Sequence, residues 1–134
     1  MWCSGGKELE AMVSCLLIDG NASERSRIGD LVRGFGMDCV ERAGAADGMR
    51  YCAERLPEVV LMDASAHAEA DEFLRRVRRH ARGSKMPVII LYADAPDMDV
   101  MGQSILEGAA EFLVKPFDGR LLSFKLEQAG LLVH

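Results

Sequence analysis

The chain has no apolar run longer than a handful of residues, which excludes a membrane-spanning helix. It has no C-x-x-C pair, so its four cysteines (Cys3, Cys15, Cys39 and Cys52) lack metal-ligand spacing. Three of the four sit inside apolar segments and read as reduced core residues of a cytoplasmic protein. It has no excess of positive charge: 16 basic against 21 acidic side chains leave a net charge of −5, which excludes a generally basic nucleic-acid binder. Signal-peptide character is missing too, because Gly5, Gly6, Lys7, Glu8 and Glu10 interrupt any apolar stretch at the N-terminus. Linkers, low-complexity tracts and self-similar repeats are also lacking.

What is present is enough for one domain. The 134 residues are 49% hydrophobic, and 28% charged residues at a mean hydropathy of +0.04 exclude wholesale disorder. A chain of this length buries roughly two-thirds of its unfolded surface and folds without disulfides or metals. The charge is uneven. Six of the basic residues (Arg75, Arg76, Arg78, Arg79, Arg82 and Lys85) fall in one stretch without an acid, so ten basic residues face 21 acidic ones elsewhere. That stretch reads first as a solvated helix face and second as a docking surface.

Four short apolar runs read as strands: Cys15-Leu16-Leu17-Ile18, Val59-Val60-Leu61-Met62, Val88-Ile89-Ile90-Leu91 and Phe112-Leu113-Val114. Their hydrophobicity is continuous rather than alternating, as in parallel strands covered on both faces. Residues 37–43 alternate with charges and read as a fifth strand at an edge. Helical periods lie between them. Ile28, Leu31, Val32 and Phe35 mark the first helix, with Asn21 and Glu24 as its cap and Gly34 or Gly36 as its end. Met49, Cys52, Ala53 and Leu56 mark a second, stopped by Pro57. Phe73, Leu74, Val77 and Ala81 are the buried stripe of a third, whose outer face carries the arginines. Val100, Met101, Ile105 and Leu106 belong to a fourth that ends near Gly108, and a fifth runs from about Asp118 to Gly130. Strand and helix alternate five times, which builds a parallel sheet with helices on both faces. Residues 1–14 read as an N-terminal extension and residues 15–134 as the domain. The eight methionines read as gap-fillers, and His67 and His80 as surface residues.

In such a sheet the functional crevice lies at the carboxyl ends of the strands. Three strands end in Asp19, Asp63 and Lys115-Pro116, and a fourth in Tyr92 and Ala93. Two carboxylates could hold a hard divalent cation, and the lysine could pair with phosphoryl oxygens.

These strand ends, in this order, resemble those of the receiver domains of two-component response regulators, the CheY-like chemotaxis-regulator fold. The resemblance runs from about Cys15 to Gly130. Its carriers are Leu17-Ile18-Asp19, residues 57–63 (PEVVLMD), residues 87–91 (PVIIL), and Gly108-Ala109 leading to residues 112–117 (FLVKPF). It implies an α/β fold, a five-stranded parallel sheet of flavodoxin-like order 2-1-3-4-5. It implies Asp63 as phosphoacceptor, a magnesium site at Asp19, Asp63 and Ser65, and phosphate binding by Lys115 and Ala93. The switch positions are Tyr92 and Phe112, and Gly20 and Asp94 border the site. The Lys115-Pro116 bond is expected to be cis. Charge neutralisation and positioning suffice for phosphoryl transfer, so an Asp, a cation and a Lys make chemical sense.

The departures from the family pattern are equally specific. Gly20 replaces the second of two adjacent acids, so Mg²⁺ is expected to bind weakly. Tyr92 replaces a Ser or Thr whose hydroxyl bonds the phosphoryl group, and a phenol there either points away or fills the phosphate pocket. The loop after Asp63 lacks the usual Met-Pro, and Ser65 and Asp94 occupy positions that tune dephosphorylation. The expected function is a stand-alone atypical receiver that accepts a phosphoryl group on Asp63 and signals by protein contact. The alternative is a degenerate receiver that binds proteins without phosphate. A phosphatase of the haloacid-dehalogenase type wants Asp-x-Asp, and this chain has Asp19-Gly20-Asn21. A flavodoxin wants a phosphate loop free of acids, and Glu24 stands there. The chain is therefore expected not to be an enzyme. Expected partners are a histidine kinase or phosphotransfer protein, a downstream protein target, and a second copy through the fourth helix, fifth strand and fifth helix. Neither nucleic acid nor membrane is expected.

Overall fold

The computed structural model describes residues 12–95 and 97–132. The proposed extension, Cys3 included, lies almost wholly outside the described residues. Continuous apolar strands do what they should in a parallel sheet. β1 (Ser14–Ile18), β3 (Val59–Asp63) and β4 (Val88–Ala93) are buried on both faces, with β2 (Asp38–Arg42) and β5 (Glu111–Val114) at the edges. All neighbours are parallel and the order is β2-β1-β3-β4-β5. The sheet starts at Ser14, one residue before the apolar run begins.

Among the described residues five helices cover it: α1 (Ala22–Gly34), α2 (Ala45–Glu54), α3 (His67–His80), α4 (Met98–Leu106) and α5 (Gly119–Gln128). Alternate strand residues send their side chains to two separate cores. One holds Leu16, Val60, Leu91 and Phe112 under α2 and α3, with Phe73, Leu74 and Val77. The other holds Leu17, Leu61, Ile90, Tyr92 and Leu113 under α1 and α5, with Ile28 and Leu122. Cys15, Cys39 and Cys52 are buried, free thiols, and Cys15 pairs in register with Cys39 across β1 and β2.

Local chemistry sets the ends of the elements. Asn21 caps α1 by accepting from the Glu24 N–H at 2.9 Å, and Gly36, at φ +88°, turns the chain away from it. Gly108, at φ +121°, makes the corresponding turn into β5. The α2 helix ends at Glu54, two residues before Leu56, because the residue preceding Pro57 is pushed out of helical conformation. On α4, Ile105 and Leu106 face solvent instead of the core. The Lys115-Pro116 bond is cis. Among the described residues, no helix is long and apolar enough to cross a membrane.

Candidate functional site

Register brings the site together. Asp63 pairs with Tyr92 across β3 and β4, and Asp19 follows Ile18, the partner of Met62, so all three stand side by side on one face at the carboxyl edge. Lys115 leaves the end of β5, its backbone N–H donating to the Ala93 carbonyl at 2.8 Å. Asp63 is half-buried. Its Oδ1 accepts from both the Ser65 hydroxyl, at 2.6 Å, and the Ser65 N–H, at 2.8 Å. Its Oδ2 lies 3.9 Å from the Lys115 Nζ.

The tyrosine spans this edge. Its hydroxyl donates to Asp19 Oδ2 at 2.6 Å, and both residues are only 1% exposed. The remaining Asp19 oxygen, Oδ1, accepts from the Asn21 N–H at 2.8 Å. The Asp19 carbonyl takes the Arg25 guanidinium at 2.7 Å. A charged acceptor bonded by a buried hydroxyl contributes about 1.5–3 kcal/mol, provided neither partner is removed alone. The ring itself is held on two sides. Phe117 meets it edge-on at 5.5 Å and 66°, and the Lys115 ammonium sits 5.4 Å from its centroid. Burial pushes the phenol far above its ordinary value of 10.0, and the bond to Asp19 adds to the effect, so Tyr92 stays neutral. Nearby, the Arg27 hydrogen bond at 2.7 Å holds Glu24 below the ordinary carboxylate range, and Arg27 rests over Phe117.

A small hard cation needs carboxylate oxygens that converge with open positions for water. Both Asp19 oxygens are already bonded, Gly20 brings none, and Asp63 shares its oxygens between Ser65 and Lys115. Among the described residues, no group of three His, Cys, Asp or Glu side chains is placed to hold a metal ion. The donor set as folded does not fit Mg²⁺.

Of the expected site residues, Asp19, Asp63, Ser65, Tyr92 and Lys115 meet directly, while Ala93 is buried in the core on the other face and reaches the site only through its carbonyl, which accepts from the Lys115 N–H. Gly20 is exposed beside Asp19, and an added Cβ there meets only the Ala43 carbonyl oxygen at 3.6 Å. Asp94 lines an open cleft with Ser65, His67 and Asp97. Phe112 is not part of the cluster. It is buried on the opposite face of the sheet, opposite Leu91, in the other core. Phe117, which meets the tyrosine ring, and Arg27, which rests over Phe117, were missed in the sequence. The only available signal was the position of Phe117 directly after Lys115-Pro116.

No family model matches the chain. AfsQ1 and PilH are among the proteins similar in sequence. AfsQ1, a transcriptional regulatory protein of Streptomyces coelicolor, is 28% identical over 116 residues, covering 86% of this chain and 50% of AfsQ1. PilH of Pseudomonas aeruginosa is 26% identical over 113 residues, 83% of this chain and 92% of PilH. The chain thus spans about half the length of one relative and nearly all of the other. Among solved structures, a response regulator receiver domain of Clostridium thermocellum superposes with a TM-score of 0.78 at 22% identity, over 88% of this chain and 94% of that one. The beryllofluoride-activated NtrC4 receiver domain dimer gives 0.77 at 20%, over 87% and 94%. The receiver domain of the sensor histidine kinase PA1611 of Pseudomonas aeruginosa, with magnesium in its active-site cleft, gives 0.76 at 19%, over 87% and 96%. At these identities the structural likeness establishes the fold.

Proposed function

We propose that the chain is a receiver domain of the response-regulator kind that signals by protein contact with its acidic pocket closed, without needing a phosphoryl group. The observation that carries this reading is the Tyr92 hydroxyl bonded to Asp19 at 2.6 Å, with both groups out of solvent. The phenol takes the carboxylate that a cation needs, and its ring stands between Asp19 and Lys115. Gly20 removes the next carboxylate along. The domain is a binding module and not an enzyme, and its three described cysteines, all free thiols, fit a reducing cytoplasmic setting.

The output surface is the face of α4, β5 and α5. Met98 (82% exposed), Leu106 (78%), Phe124 (51%) and Val114 (47%) present apolar surface there, and Lys125 pairs with Glu111 at 3.2 Å across it. A downstream protein or a second copy of this chain is the fitting partner.

The rival reading is phosphoryl transfer to Asp63 from a histidine kinase or phosphotransfer protein. One observation favours it: the Asp63 side chain is partly exposed, and its Oδ2 faces Lys115 at 3.9 Å. The two readings separate on incubation with acetyl phosphate and Mg²⁺, followed by intact-mass measurement. The wild type is expected to stay unmodified. A Gly20→Asp, Tyr92→Thr double variant, checked for folding by near-ultraviolet circular dichroism, is expected to gain one phosphoryl group. A phosphorylated wild type overturns the proposal, whatever the variant does.

A further inference from the structure

We propose that the cleft between α2 and α3 is a docking groove for a short acidic, amphipathic segment of a partner protein. The groove lies on the opposite side of the sheet from α1 and α5, and it does not depend on the state of Tyr92. It has a volume of about 580 Å³. Its α2 wall is low because Ala46 and Ala53, seven residues apart and so on one helix face, offer only methyl groups. Met49 forms an apolar floor between them. The α3 wall carries Arg76, Arg79 and His80.

The arginines of α3 are sorted by face. Arg75 and Arg78 turn toward α4, where Glu107 lies 3.8 Å and 3.6 Å from them. Arg76 and Arg79, one helical turn apart, line the groove and have no ion-pair partner among the described residues. Arg50, on the rim opposite, is tied to Asp47 of its own helix. Part of this pattern follows from the macrodipole of α3, which favours acids in its first turn and bases in its last. The dipole accounts for charge order along the axis. It does not account for two unpaired guanidinium groups bordering a hollow whose facing wall is alanine.

Charge complementarity selects the occupant. A smaller hollow of about 170 Å³ continues the groove toward the start of α3, and there Glu69 and Glu72 line it. The groove is thus basic at one end, acidic at the other and apolar between. A nucleic-acid backbone, uniformly negative, would meet Glu69 and Glu72 and an acidic protein around them. A peptide with carboxylates at one end, one apolar side chain over Met49 and a cation at the other end meets a matching group at each point. The ten residues of α2 span roughly 15 Å, room for about ten residues of helix.

The test uses a fluorescein-labelled dodecapeptide carrying two Asp-Glu pairs at one end, one leucine in the middle and lysine at the other end. Amide shifts in ¹⁵N spectra of the whole chain and fluorescence anisotropy are the readouts. Shifts are expected within residues 45–54 and 67–80. Reversal of the groove charges, Arg76→Glu with Arg79→Glu, should weaken binding about tenfold. The Arg82→Glu, Lys85→Glu pair makes the same charge change outside the groove and should weaken it less than about twofold. The proposal is overturned by equal losses in the two variants, by shifts confined to α4 and α5, by no binding of the peptide, or by tighter binding of a DNA duplex. None of these outcomes bears on phosphorylation of Asp63.

Discussion

Tyr92 closes the strand-end pocket from a single position. Its O–H satisfies the Oδ2 of a buried carboxylate whose Oδ1 already accepts from the Asn21 N–H. Removing the hydroxyl alone leaves Asp19 Oδ2 desolvated and unpaired. Tyr92→Phe should therefore destabilise the fold by about 1.5–3 kcal/mol although it barely changes volume, as measured by urea unfolding. The pH dependence has a fixed sign. The folded-state value of the phenol lies above its ordinary value of 10.0, so the bond's contribution is complete below pH 10. Above that, the unfolded chain ionises the phenol while the folded chain does not, and stability falls by about 1.4 kcal/mol for each further pH unit. Stability curves of wild type and Tyr92→Phe should converge as pH rises from 10. Parallel curves would contradict the neutral, buried phenol.

Among the elements, the turn from β1 into α1 shows how one short sequence serves both the fold and the site. The Asn21 N–H donates to Asp19, and the Asn21 side chain accepts from the Glu24 N–H, so the helix cap and the acidic pocket share a residue. Asn21→Ala should cost about 1 kcal/mol through the lost cap, with a lowered thermal midpoint. The retained backbone N–H keeps its bond to Asp19, so the variant should stay as resistant to acetyl phosphate as the wild type. This cap was legible in the sequence because Asn21 and Glu24 act locally. The sheet was legible for a related reason: Leu16-Leu17-Ile18 and Val59-Val60-Leu61-Met62 are apolar at successive positions, and only a strand covered on both faces tolerates that. Tyr92 could be flagged as a departure but not aimed, since its partner is 73 residues away and the choice between pocket and solvent depends on Phe117 and Lys115 closing around the ring. The exposure of Ile105 and Leu106 was equally unreadable. Their spacing suits a buried stripe, and only the placement of α4 over the edge of the sheet turns them outward.

At the scale of the whole molecule, apolar and charged surfaces are segregated. The basic groove faces one way over α2 and α3, while α4, β5 and α5 carry Met98, Leu106, Val114, Leu121 and Phe124 in the open. Single exposed apolar residues are ordinary on any protein surface. With Ile105, six large ones on three adjoining elements are the kind of patch that a partner covers. A second copy can cover it with its own equivalent face, because a twofold axis sets each patch against itself. The Lys125–Glu111 pair across the face then supplies polar contacts at its margin. Sedimentation equilibrium over a concentration series should show a monomer–dimer equilibrium. Placing charge on the patch with Leu106→Glu and Phe124→Glu should weaken association at least tenfold, since each buries a carboxylate without a partner. Tyr92→Phe should leave association unchanged, because the hydroxyl it removes is turned inward to Asp19 and the ring keeps its packing against Phe117. Loss of the dimer in Tyr92→Phe would instead tie the strand-end pocket to the output face.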